Sequence, residues 1–200
     1  MRHLMETAAA WLADRPEEPC RRAAAAMRVE RAERPIAPVA SETASRDLAD
    51  LIAAPQGALM RAFVDAMPAF AWREPPQKDA GNYLVGRSAG NVIIGPEGTF
   101  PAEDLRFGAF MISPDTVYPL HAHAAEEIYV VIGGSGRWWI DDAPYARRGT
   151  GEVVHIPSWT PHAIRTDEEP VLTLWVWMGD VSFDAYRFEP AGFDAQGKPI

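Results

Sequence analysis

Cysteine is almost missing from this chain of 200 residues: Cys20 stands alone. A lone cysteine makes no internal disulfide, so nothing in the chain calls for an oxidising compartment. Cationic runs are missing too. Lys and Arg total 19 against 28 Asp and Glu, the net charge is -9, and no basic block is longer than a pair. Such a surface is a poor partner for nucleic acid or an anionic membrane. Long apolar runs are the third absence. VLTLWVWMG at 171–179 would cross only half a bilayer. The patch at 8–13, bounded by Glu6 and Asp14, is too short for a signal-peptide core. Together these absences predict a cytoplasmic protein that is not exported and whose partner is a small molecule, with no nucleic acid and no membrane; a homodimer stays open.

What is present divides the chain near residue 80. With 48% hydrophobic residues the chain can bury a core of domain size. Residues 1–80 carry alanine-rich stretches such as EEPCRRAAAAMRVERAE, and Leu48, Leu51, Ile52, Leu59, Phe63 and Met67 recur at spacings near three and four. That periodicity predicts three or four short helices packed on the rest of the chain, broken at Pro16, Pro19, Pro35, Pro38, Pro55 and Pro68, with Ser41 or Thr43 as an N-cap. One of them is a candidate lid. Residues 81–190 change to short β-branched and aromatic runs: NYLVG, NVIIG, LRFGAFMI, EEIYVVIGG, GRWWID, EVVHIP, VLTLWVWMG and AYRFEP. Evenly spaced strands divided by glycine and proline predict a β-sandwich or barrel. The tail 191–200 reads as frayed.

The chemistry concentrates in HAHAAEEIYVVIGG. Alternation along a strand puts His121, His123, Glu127, Tyr129 and Val131 on one face and leaves Glu126 as a solvent-facing charge, provided no bulge intervenes. Two imidazoles and a carboxylate on one face suit a divalent transition metal. In GEVVHIPSWTPHAI a glycine turn leads through a short strand to Pro157 and then His162, which could return to the same face. His155 reads as a satisfied histidine rather than a ligand, Asp141 and Asp142 as a hairpin turn, and Arg147 with Arg148 as a surface turn.

His121, His123, Glu127 and Gly134 resemble the first cupin motif, and Gly151, Pro157 and His162 the second, over residues 105–178. Asp115 and Trp159 stand where the motifs have glycine, and Thr166 replaces a terminal asparagine; these departures bear on turns and pocket lining rather than on ligands. Within the cupins, YPLHAHAAEEIY, GEVVHIPSWTPH and LWVWMGD resemble the lyases that split dimethylsulfoniopropionate (DMSP) into dimethyl sulfide and acrylate. The resemblance implies a mainly β fold, a single jelly-roll (double-stranded β-helix) barrel behind an N-terminal helical region. It also implies one metal on His121, His123, Glu127 and His162, with Tyr129 as the base. His121 either ligates or hydrogen-bonds the substrate. The donor set accepts zinc, iron, manganese, cobalt or nickel alike.

For that substrate, removal of the α-proton expels dimethyl sulfide from the β-carbon. A cation near Tyr129 would favour its phenolate, and aromatic faces would attract the sulfonium. Among Tyr118, Trp138, Trp139, Trp159, Trp175 and Trp177, the best placed are Tyr118 and Trp177. Two other readings use the same residues: a metal-dependent cupin dioxygenase, and a non-enzymatic cupin that binds a small molecule. Tyr129 separates them, since only the lyase needs a proton acceptor beside the metal.

Overall fold

The computed structural model describes residues 1–73, 84 and 86–188. Its first part is helical for local reasons. Arg2–Ala13 (α1) and Glu18–Met27 (α2) are alanine-rich, and Pro19 opens α2 where no backbone donor is needed. Ser41 accepts the Ala44 amide at 3.1 Å and caps Glu42–Asp47 (α3), which is followed by Ala49–Ala53 (α4) and Gly57–Ala66 (α5). Five α-helices occur among the described residues, where three or four were expected, because the stretch ending near Ala54 is two helices meeting at Leu48.

The remainder is antiparallel sheet: Ser88–Ile94 (β1), Leu105–Ile112 (β2), Val117–His123 (β3), Glu126–Ile140 (β4), Ala143–Gly149 (β5), Val153–Ile156 (β6), His162–Arg165 (β7), Val171–Met178 (β8) and Tyr186–Phe188 (β9). The strand order is β1-β2-β8-β4-β7-β3-β9, with β5 and β6 also paired to β4. β4 is the spine. Its first half pairs with β6 and β8 and its second half with β5 and β7, so one long strand joins both halves of a curled sheet. This is the mainly β barrel that the cupin motifs imply. EEIYVVIGG and GRWWID, expected as two strands, are therefore one. Asp141 and Asp142 make the expected turn, but Arg147 and Arg148 extend into β5 opposite Arg137 and Gly136 rather than turning. Most of NYLVG lies outside the described residues, as do the boundary at 80 and the tail 191–200.

Two irregularities decide which side chains look into the barrel. The register of β3 shifts between Tyr118 and His121, and that of β4 between Val131 and Gly133. Each shift flips the parity, since one extra residue exchanges the two faces. Odd residues face inward before the second shift, as in Glu127 and Tyr129; beyond it Trp138 does. Gly134 supports the shift with φ +65°, and a Cβ there would lie 1.8 Å from the Pro170 carbonyl oxygen.

The opposite face is covered by helices. Leu4, Leu12, Met27, Leu48, Leu59 and Phe63 form one buried cluster with Ile128, Val130, Ile132, Leu172, Leu174 and Val176. These helices pack on the outside of the sheet, so the lid expected among them is not found in the described residues. No described helix is long and apolar enough to cross a membrane.

Candidate active site and metal centre

Three buried histidines converge inside the barrel. One ring nitrogen from each of His121, His123 and His162 lies within 4.8 Å of the others. His121 and His162 stand in register on β3 and β7, and His123 ends β3 just before the bend into β4. Each imidazole is fixed by a carbonyl two residues away: Nδ1 of His121 meets Pro119 O at 2.7 Å, that of His123 meets Ala125 O at 3.0 Å, and that of His162 meets Thr160 O at 2.9 Å. A carbonyl only accepts, so each Nδ1 carries the hydrogen and each Nε2 presents a lone pair.

Those lone pairs face a carboxylate. Glu127 Oε2 is 3.1 Å from His123 Nε2 and 3.4 Å from His162 Nε2, and the latter nitrogen is buried with no hydrogen bond among the described residues. Acceptors brought this close call for a positive charge, either a proton on an imidazole or a metal ion. The three imidazoles could together hold a metal ion, and the Glu127 carboxylate stands beside two of them. Burial pushes the Glu127 carboxyl up, but the two histidines outweigh it and hold the carboxyl well below the usual range. Burial and the neighbouring histidines push His121 well below its ordinary value, so it stays a neutral donor.

Tyr129 is buried on the same face, next along β4. Burial first, then the Glu127 carboxylate beside it, push its phenol well above the ordinary value of 10. Both expected aromatic residues lean on imidazoles of the cluster: Tyr118 stacks on His121 at 4.2 Å between ring centres, and Trp177 lies 4.3 Å from His123. Trp138 and Trp175 share this inner cluster. Two aromatics do not face it. Trp139 packs with Leu120 and Ala163, and Trp159, 42% exposed, is covered by the Arg187 guanidinium at 4.6 Å.

Glu126 does face away from the cluster, but it is not a free solvent charge. It is bridged by Arg22 of α2 at 2.7 Å and by His155 of β6 at 2.8 Å, which also makes His155 the satisfied histidine expected. Asp115 and Trp159, the residues standing in place of motif glycines, have φ of 50° and 59°. The turns thus keep a glycine-like backbone without glycine, at some cost in strain. Thr166 donates to Ser113 O at 2.6 Å and accepts from the Thr116 amide at 3.0 Å, filling the role of a buried turn-fixing side chain.

The sequence profile of the dimethylsulfoniopropionate lyases matches residues 18–173. The chain belongs to that family. The lyase DddQ of Ruegeria pomeroyi is 32% identical over 144 residues, 72% of each chain. The crystal structure of DddQ from Ruegeria pomeroyi DSS-3 superposes with a TM-score of 0.76 at 27% identity, over 96% of this chain and 97% of that one. A structure reported with the DMSP lyases RdDddP and RnDddQII gives 0.71 at 28% identity, over 94% and 96%. The DMSP lyase match spans helices and barrel together, so the helical region belongs to the family's architecture.

The Nδ1-accepting carbonyls of Pro119, Ala125 and Thr160 escaped the sequence reading because every residue has one. Arg106 and Phe183, which back Trp177, escaped it because they are far apart in sequence and meet only in the fold.

Proposed function

We propose that this chain is a metal-dependent carbon–sulfur lyase that cleaves DMSP to dimethyl sulfide and acrylate, with Tyr129 as the base. The observation that carries the reading is the buried phenol of Tyr129 beside Glu127, whose carboxylate adjoins a buried three-histidine cluster, on a chain of the DMSP lyase family. His121, His123, Glu127 and His162 are the donors for the ion. A divalent metal bound there supplies a Lewis acid for the substrate carboxylate and favours phenolate over phenol.

The protein groups alone hold Tyr129 protonated, so a positive charge in the cluster is part of the base assignment. The phenolate oxygen takes the α-proton, the released pair becomes the carbon–carbon double bond, and the bond from the β-carbon to sulfur breaks with its pair on sulfur. Neutral dimethyl sulfide and acrylate leave. Trp177 and Tyr118 offer ring faces to the sulfonium, worth about 1–2 kcal/mol when desolvated. His121 ligates or orients the carboxylate. The setting proposed is the cytoplasm, where Cys20, buried and with its thiol pushed up to about 11 by burial and Glu17, stays an inert apolar side chain.

The test is to load the protein separately with zinc, iron and manganese, supply DMSP, and measure dimethyl sulfide by gas chromatography. Release is expected from the loaded wild type and from neither a chelated sample nor His162→Ala. A loaded wild type that releases none overturns the reading.

A further inference from the structure

At the mouth of the barrel lies a buried charge that the reaction above leaves unused. The Arg106 side chain is 6% exposed. It sits on β2 with the inward parity of Phe110 and Ile112, opposite Trp177, which in turn stands opposite Glu127. Two of its three nitrogens donate within the fold, and its plane meets a ring. Nε donates to Val181 O at 2.7 Å, Nη1 donates to the Glu97 carboxylate, and the guanidinium carbon lies 4.0 Å from the centre of the Phe183 ring. Phe183 lies 5.4 Å from Trp177, and Trp177 lies 4.3 Å from His123. One stack therefore runs from a buried cation to a candidate metal ligand.

Val181 and Phe183 belong to the segment 179–185. It leaves β8 beside Glu127 and enters β9, whose residues stand in register with His121 and His123. The Gly179 amide donates to Asp104 O and the Ala124 amide to Ala185 O, both at 3.2 Å, which ties down the two ends. This segment joins β8 to β9 at the end of the sheet that holds the cluster.

We infer that Arg106 is a positioning residue: it latches the 179–185 segment across the mouth and, through Phe183, sets the Trp177 indole where the substrate binds. The inference rests on the lyase reading of the site. A buried guanidinium is tolerated only when its donors are met. Lifting the segment would strip away Val181 O and the Phe183 face together, leaving Glu97 as the remaining partner. Lysine could keep the pair with Glu97, but it has no planar fork to serve a carbonyl and a ring at once.

The test uses Arg106→Lys, Phe183→Leu and the double variant as metal-loaded full chains, with Phe63→Ala as a destabilised control from the outer face. Each latch variant is expected to raise KM for DMSP about tenfold, with kcat and bound metal within about twofold of wild type. The double variant is expected to match the worse single variant. Backbone amide exchange in 180–188 is expected to quicken at least tenfold in Arg106→Lys, while α1 and α2 exchange as before. Phe63→Ala should melt earlier with KM unchanged. Unaltered KM in both single variants, unaltered exchange in 180–188, or a KM shift in Phe63→Ala equal to theirs would each overturn the latch. Should Arg106→Lys fail to fold, Phe183→Leu decides alone on KM and exchange. A wild type that releases no dimethyl sulfide removes the reaction, and the exchange data still judge the latch.

Discussion

The two faces of the central sheet do different work with the same strands. On the outer face Ile128, Val130 and Ile132 of β4 pack with Leu172, Leu174 and Val176 of β8 beneath the helices. On the inner face the intervening residues are Glu127, Tyr129 and Val131, opposite Trp177, Trp175 and Thr173. The outer face is apolar along these residues, and burial of that kind contributes about 25 cal/mol per Å². The inner face buries three imidazoles and a carboxylate, groups that cost stability unless something pairs them. Stability is concentrated on one side of the sheet and chemistry on the other, and strand alternation keeps them one residue apart.

The comparison breaks most sharply at Tyr129. Replacing it by Phe keeps the ring and its packing but removes the proton acceptor, so kcat/KM for dimethyl sulfide release should fall by about 10²–10⁴-fold. Bound metal and melting temperature should stay as in wild type. A variant that keeps a tenth or more of its activity would show that the inner face needs no base at this position. The mirror experiment is Phe63→Ala on the outer side. Phe63 is fully buried against Phe70 and Trp72, and its truncation should cost about 3–5 kcal/mol in denaturant unfolding. The folded fraction should keep its kcat/KM, and a parallel loss of turnover would blur the division between faces.

How far the sequence could reach depends on the same division. Alternation plus the spacing of HAHAAEE selects Glu127 over Glu126, and glycine, proline and histidine in order select His162; all of these are local signals. The bulges that turn Tyr118 and Trp138 inward are not visible to a parity argument, which assumes an unbroken strand. Glu126 is legible as outward but not as paired, because Arg22 arrives from a helix that precedes it by a hundred residues. Trp139 and Trp177 have the same composition signal and opposite locations, and only register separates them. Asp115 and Trp159 teach a further point: a motif glycine can be replaced while the left-handed backbone it served persists.

Smaller effects sharpen the picture. Trp177→Leu removes the indole that packs on His123, and the loss of a desolvated cation–π contact of about 1–2 kcal/mol should raise KM by roughly 5–30-fold. Metal content, read by elemental analysis, should be retained; loss of metal instead would make Trp177 a support for His123 rather than a substrate contact.

The smallest effect belongs to Glu126, which ties the helices to the strand that carries Glu127. Burial pushes its carboxyl up, but hydrogen bonds from Arg22 and His155 outweigh burial and hold it below its ordinary 4.5. A depressed folded-state pKa means that the unfolded chain binds the proton more readily. The pair therefore stabilises the fold fully above about pH 4.5 and loses that contribution as the pH falls through the lower folded value. The Arg22 side chain is 49% exposed, so screening limits the contribution to roughly 1 kcal/mol or less. Thermal melts from pH 7 to pH 3 should show Glu126→Gln starting slightly below wild type and converging with it in acid. Curves that coincide at every pH would mean that the bridge between the two halves of the chain carries no stability, and that the helices hold the sheet by apolar packing alone.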